Sequence, residues 1–205
     1  SDFFAGNPFK AIPAMVISAC MNTNPVMIYF GQELGEKGMD EEGFSGRDGR
    51  TTIFDYWTVD TIRRWRSGGK FDGKMLTKEE KKLQSFYSTL LNLCNKEKAI
   101  CEGVFFDLTY ANLEGIIFNE HRQYAFFRKA GKDLLFIIVN FDEKPAAPCV
   151  KIPTHAFDYL GIPFKDSYKA KDLLTGNTET LIMAPDQCTK ILLEGYGAKI
   201  LKIKL

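Results

Sequence analysis

The sequence predicts an α/β segment over residues 1–98, followed by an all-β antiparallel sandwich domain over residues 103–205. Three observations predict it. A helix-spaced stretch near the N-terminus runs straight into the unbroken apolar run Val26, Met27, Ile28, Tyr29, Phe30, the pattern of a strand covered on both faces in an α/β sheet. A long amphipathic helix follows over residues 77–95. From Gly103 onward the period changes to short apolar runs split by Gly, Pro and Asn, as in antiparallel sandwiches and barrels.

Taking the elements in order, Asn7 is a suitable N-cap and Pro8 a suitable first helical residue. Phe9, Ile12, Val16, Ile17 and Cys20 keep helical spacing, and Pro13 kinks the helix or marks a later start. Pro25 fits as the first residue of the apolar strand, because it has no ladder donor. Gly31, Gln32 and Glu33 follow the strand's C-terminal end. Residues 31–57 form a long connection containing Phe44, Phe54, Tyr56 and Trp57, which argues against disorder. Arg47, Asp48 and Arg50 lie among its glycines, suited either to an internal salt-bridge network or to a functional loop. Thr58 is placed to cap a short helix to about Ser67, with Ile62 and Trp65 on one face. Thr77 and Glu80 make a capping box for the long helix. Its stripe of Leu83, Phe86, Tyr87, Leu90, Leu91 and Cys94 reads as core.

Eight runs in the second half read as strands: GVFFD, QYAFFRKA, DLLFIIVNF, APCVKI, SYKAKDLLTG, TETLIM, TKILLE and GAKILKIKL. Gly131-Lys132 suits a hairpin turn, and residues 154–160 a helical turn interrupting the series. Eight strands suffice to bury each other's apolar faces, so residues 103–205 are expected to fold independently.

Composition narrows the function. The chain has 205 residues, 45% of them hydrophobic and 13% aromatic, with 17 Phe, enough for a sizeable core. Net charge is +1, and no basic run is interleaved with aromatics, so no nucleic-acid partner is expected. No apolar stretch reaches the ~20 residues that span a bilayer, so no membrane partner is expected either, and the first residues lack the basic segment that leads the apolar one of a signal peptide. Five cysteines without CxxC spacing read as unpaired thiols, and point to a reducing, cytoplasmic compartment. The two histidines, His121 and His155, lie near no cysteine or nucleophilic serine motif, which argues against a metal site or a Ser-His-Asp triad.

Four motifs then stand in a telling order. PVMIYFGQELGE resembles the last barrel strand of the α-amylase family of glycoside hydrolases and the turn that follows it. GFSGRDGRTTIFDYW resembles a loop of bacterial members, and TKEEKKLQSFYSTLLNL the last barrel helix. QYAFFRKAGKDLLFIIVNFDEK and GAKILKIKL resemble that family's C-terminal β-domain. The resemblance covers nearly the whole chain. It implies that residues 1–98 are the C-terminal portion of a TIM (β/α)8 barrel, which needs ~250 residues when complete. It also implies an α-glucan or maltooligosaccharide substrate for the intact enzyme.

The family's aspartate nucleophile, glutamate acid and Asn-His-Asp aspartate have no counterparts here, since no His precedes His121. No catalytic residue is therefore assigned within this chain, which is expected to be inactive alone. No cofactor is expected in it, and calcium would belong to upstream segments of the parent. Gln32, Glu33, Arg47, Asp48 and Arg50 are expected to line the substrate cleft, with Glu33 contacting substrate or pairing with Arg47 or Arg50. A non-catalytic sugar-binding or structural module is the alternative, with Phe126, Phe127, Tyr159 and Tyr196 as candidate stacking rings, weighed against a reading of these aromatics as core; adjacent Phe126 and Phe127 would face opposite sides of a strand and form no single platform. A sibling transglycosylase or isomerase is a further alternative. An incomplete barrel edge over residues 7–30 is expected to self-associate or to leave its barrel conformation.

Overall fold

The computed structural model describes residues 6–36, 59–113 and 117–205. Two compact units emerge, one of residues 1–11 and 25–89, the other of residues 12–24 and 90–205.

In the second unit, six strands form one antiparallel sheet in the order β1-β2-β3-β8-β5-β6, and β4-β7 form a separate ribbon. The strands are β1 (Val104–Asp107), β2 (Gln123–Ala130), β3 (Asp133–Asn140), β4 (Cys149–Lys151), β5 (Tyr168–Asp172), β6 (Thr178–Leu181), β7 (Cys188–Lys190) and β8 (Ala198–Lys204). Each falls within, or within one residue of, a run read as a strand. The β2–β3 hairpin closes Ala130 on Asp133 through Gly131, whose φ of 57° is the positive value that tight hairpin turns require. Helix α5 (Thr154–Leu160) interrupts the series.

The sandwich is unequal. Leu134, Phe136 and Ile138 on one face of β3 join Phe127, Val150, Ile152, Phe157 and Ile191 in the main core. Leu135, Ile137 and Val139 alternate with them and are also fully buried. Helices cover this second face: α1 (Ile12–Cys20) packs on β3 and β8, and α4 (Lys98–Cys101) on β2 and β3. This face of the strands is therefore covered by helices that lie outside residues 103–205.

Arg128 on β2 ties these helices down. Its guanidinium donates to Ala99 O (3.0 Å), Ile100 O (2.8 Å) and Met21 O (3.1 Å). Those carbonyls lie in α4 and just past the end of α1. Helix C-termini leave carbonyls unsatisfied and carry partial negative charge, so a buried cation without a carboxylate is satisfied there. Burial still draws the Arg128 pKa below the ordinary guanidinium value.

The N-terminal helix starts as expected but in two parts. Asn7 Oδ1 accepts from Phe9 N (3.0 Å), and a 3-10 turn at Pro8–Ala11 leads into α1, with Pro13 in its first turn. That position tolerates proline, whose missing N–H has no intrahelical partner there.

Two expectations fail. Residues 26–30 form no strand, and Met27, Tyr29 and Phe30 are 91%, 41% and 39% exposed. A parallel strand needs neighbouring strands on its edges, and none pairs with it among the described residues. The five cysteines are not all free either. Cys149 and Cys188 are bridged across β4–β7, with Cα atoms 5.2 Å apart, leaving Cys20, Cys94 and Cys101 unbridged. The pairing Val150↔Thr189 brings together two thiols 39 residues apart. The premise that all five are unpaired, and its pointer to a reducing compartment, falls with them.

Candidate functional site

In the first unit, the stretch following the apolar run folds into a single 3-10 turn, Gln32–Leu34, between two left-handed glycines. Gly31 has φ 70° and Gly35 φ 75°. Both need to be glycine for space as well as conformation. A Cβ on Gly31 would lie 2.7 Å from Glu36 Cβ, and one on Gly35 would lie 2.9 Å from Pro8 Cγ. Leu34 is buried and anchors the turn from below.

Gln32 is held at both ends of its amide. Its Oε1 accepts from Tyr29 N (3.1 Å), and its Nε2 donates to Tyr87 Oη (2.9 Å). Tyr87 sits in helix α3 (Lys78–Lys96) and is almost fully buried. Burial pushes its phenol above the ordinary tyrosine pKa; the nearby Glu33 charge acts the same way and the Gln32 hydrogen bond opposes it.

The carboxylates around this turn are not equivalent. Glu36 accepts from Thr61 Oγ1. Glu80 closes the expected capping box: Thr77 N donates to it (2.8 Å), and its own N donates to Thr77 Oγ1 (3.1 Å). It also accepts Arg64 Nε at 3.0 and 3.1 Å, a fork from α2 (Asp60–Arg66). Burial raises the Glu80 pKa, but the Arg64 hydrogen bond and the Thr77 N–H outweigh it and leave it below the ordinary carboxylate range. Glu33 is half-buried, and no cation among the described residues pairs with it.

Gln32 and Glu33 therefore stand side by side on a rigid turn, one locked and one with its carboxylate available. Arg47, Asp48 and Arg50 lie outside the described residues, as does Thr58; the residue preceding α2 is Val59, which gives no side-chain cap. Glycosidase chemistry needs two carboxyl groups flanking the scissile bond. Glu36 and Glu80 are committed to structural bonds, so this turn offers an orienting amide and one acid. Among the described residues, no group of three His, Cys, Asp or Glu side chains could hold a metal ion. No described helix is long and apolar enough to cross a membrane.

Tyr87 is the partner that sequence reading missed. Its signal was a phenol in an otherwise apolar stripe, since a buried Tyr hydroxyl needs a partner. On the β-domain, Phe126 and Phe127 are fully buried, on opposite faces of β2, and belong to the core. Tyr159, 65% exposed, is different. Its ring lies 5.9 Å from Phe106, which also approaches His155 (5.6 Å) and Tyr110 (6.3 Å). Tyr110 Oη and His155 Nε2 are in hydrogen-bond contact at 2.5 Å. β1, α5 and a 3-10 turn at Thr109–Asn112 bring these rings together from distant parts of the sequence.

No protein-family model and no curated protein matches this chain. Solved structures do. AmyP in complex with maltose aligns with 95% of the chain at 18% identity and a TM-score of 0.60. The maltogenic alpha-amylase AmyB from Thermotoga neapolitana aligns with 96% at 13% identity and a TM-score of 0.61. An isomaltulose synthase from Erwinia rhapontici aligns with 97% at 14% identity and a TM-score of 0.51. The chain covers 34%, 37% and 39% of these three proteins. At such identities the likeness is one of fold: over nearly its whole length, this chain resembles roughly a third of an α-amylase-family glycoside hydrolase.

Proposed function

We propose that this chain is the C-terminal part of an α-amylase-type glycoside hydrolase acting on the α-glucosidic bonds of starch or maltooligosaccharides. The observation that carries the reading is the alignment of 95% of this chain with only 34% of AmyP, a protein solved with maltose bound. The order of the motifs supports it, with the GQELGE turn, the capped helix and the β-domain following one another as in that family. In the intact protein the nucleophile and acid come from segments outside this chain, as do any calcium ligands. Gln32 and Glu33 orient substrate at the barrel mouth, Gln32 held in place by Tyr87.

The test is an activity assay on starch and on p-nitrophenyl maltosides. The chain alone is expected to stay at background. Turnover that survives repurification and disappears in Glu33→Gln would refute the assignment of the catalytic carboxylates elsewhere. Sequencing the encoded region before Ser1 gives a second check, an Asn-His-Asp motif being the expected finding. The isomaltulose synthase match supports a sibling isomerase or transglycosylase as the parent's reaction, and product analysis of the intact protein on sucrose separates the two.

The exposed rings of Tyr110, His155 and Tyr159 around half-buried Phe106 favour a second reading, a non-catalytic sugar-binding surface on the β-domain. Maltotriose binding by this chain that is lost in Tyr159→Ala would support it.

A further inference from the structure

The outer face of the sheet carries a concentration of positive charge that folding alone does not call for. Along β5, Tyr168, Ala170 and Asp172 point inward, while Lys169 and Lys171 point outward. On the neighbouring strand Lys171 stands directly opposite Lys202. One step along, Lys169 and Lys204 flank the paired Ala170 and Ile203. Like charges facing each other across a strand pair destabilise a sheet. These four lysines, with Lys165 on the preceding loop, line one concave pocket of about 450 Å³.

The charges are only partly neutralised. Lys202 pairs with Glu97 and with Asp133 (3.2 Å), and Lys204 pairs with Asp133 as well. No carboxylate among the described residues pairs with Lys165, Lys169 or Lys171. Lys165 instead lies over the Tyr168 ring, 5.9 Å from its centre. Five ammonium groups against two carboxylates leave a local excess of three positive charges in one hollow, although the whole chain carries only +1. A concave surface of one sign focuses its field and concentrates counter-ions. Ser167 and Thr178 add hydroxyls to the same wall.

We infer that this pocket is an anion site for a phosphomonoester, and specifically for a phosphorylated saccharide. A phosphate dianion meets the ammonium groups of Lys169 and Lys171, which as compact point charges suit phosphate. The volume falls in the range of small-molecule sites and exceeds what one phosphate fills. The remaining space, with Ser167, Thr178 and the Tyr168 ring beside it, takes a polyhydroxylated body. The anion part stands on the charge geometry alone, whereas the saccharide part rests on the reading of this chain as part of a glucan-active protein.

Calorimetric titration of the whole chain with inorganic phosphate, glucose 6-phosphate and glucose tests both parts. Phosphate is expected to bind, glucose 6-phosphate to bind about tenfold tighter, and glucose not to bind. The Lys169→Gln/Lys171→Gln pair should weaken glucose 6-phosphate at least tenfold, as loss of charge-assisted hydrogen bonds does. Lys171→Arg should retain binding, and an unchanged urea midpoint for each variant shows that the fold is intact. Raising the salt from ~50 to ~500 mM should weaken binding several-fold through screening. Absence of phosphate binding in the wild type, or equal binding by the Gln pair, overturns the site. Glucose 6-phosphate binding no tighter than phosphate overturns the saccharide assignment. A single-stranded oligonucleotide binding more tightly than either does so as well. A chain that binds glucose 6-phosphate but shows no glycosidase ancestry in its upstream sequence separates failure of the functional reading from failure of the pocket.

Discussion

At the scale of single residues, two side chains anchor the first unit. Tyr87 receives the Gln32 amide at 2.9 Å within a nearly closed environment. Tyr87→Phe keeps the ring and removes the acceptor, so Gln32 Nε2 loses a partner. That should cost about 1 kcal/mol, the usual net value of such a bond, and lower Tm by roughly 2–4 °C in a domain of this size. Thermal unfolding monitored by circular dichroism reads it; an unchanged Tm would show that the clamp contributes nothing.

Glu80 makes stability depend on acid. Its folded pKa lies below the ordinary value because of Arg64 and Thr77. A carboxyl depressed in this way contributes fully above its unfolded pKa, about 4.3 for glutamate. The contribution is then lost as pH falls through the folded value. Wild type should therefore lose stability, as pH falls below the ordinary glutamate value, more steeply than Glu80→Gln, which has no proton to take up at that position. Urea midpoints across this range give the comparison, and parallel slopes would remove Glu80 from the account. Asp133, held low against burial by Lys204 and Lys202, titrates in both proteins and cancels in the difference.

At the scale of elements, the capped helix α3 and the eight strands follow local rules, but the cover of β2 and β3 does not. The buried face of Leu135, Ile137 and Val139 rests on α1 and α4, and Arg128 satisfies the ends of both. A polypeptide starting at Gly103 lacks these helices. It would expose that face and leave the Arg128 guanidinium without its three carbonyls. Each large apolar side chain uncovered forfeits about 1.5–3 kcal/mol, and a buried charge losing its partners costs more. Residues 103–205 alone are thus expected to bind a hydrophobic dye and to give collapsed amide shifts, while the whole chain gives dispersed ones. Dispersed spectra from the shorter polypeptide would show that the sheet closes without helices.

At the scale of the whole molecule, residues 26–30 present the largest departure from the expected fold. Met27, Tyr29 and Phe30 expose apolar surface on a segment with no ladder partner among the described residues. Exposed apolar surface of this kind recruits other chains. We expect association at micromolar concentration, detectable by light scattering and reduced by Met27→Lys with Phe30→Lys. A monomer that the double variant leaves unchanged would mean that the segment is harmless as it stands.

The sequence by itself determined whatever short-range chemistry decides. Asn7 and Thr77 mark helix starts because a side-chain oxygen meets N–H groups two or three residues on. Short apolar runs split by Gly, Pro and Asn marked all eight strands. The GQELG segment was legible as a tight turn because its glycines and polar pair follow an apolar run. Tertiary structure alone decided the rest. Residues 26–30 read as a strand, yet a strand exists only where neighbours supply its hydrogen bonds. Cys149 and Cys188 became a pair only when β4 met β7. Tyr87 gained its role from Gln32, 55 residues away. Arg128 met the backbone at Met21, 107 residues away. The lysines opposite one another on β5 and β8 became a pocket through register. None of these follows from local pattern, because each depends on which distant segments the closed core brings within hydrogen-bond or Coulomb range.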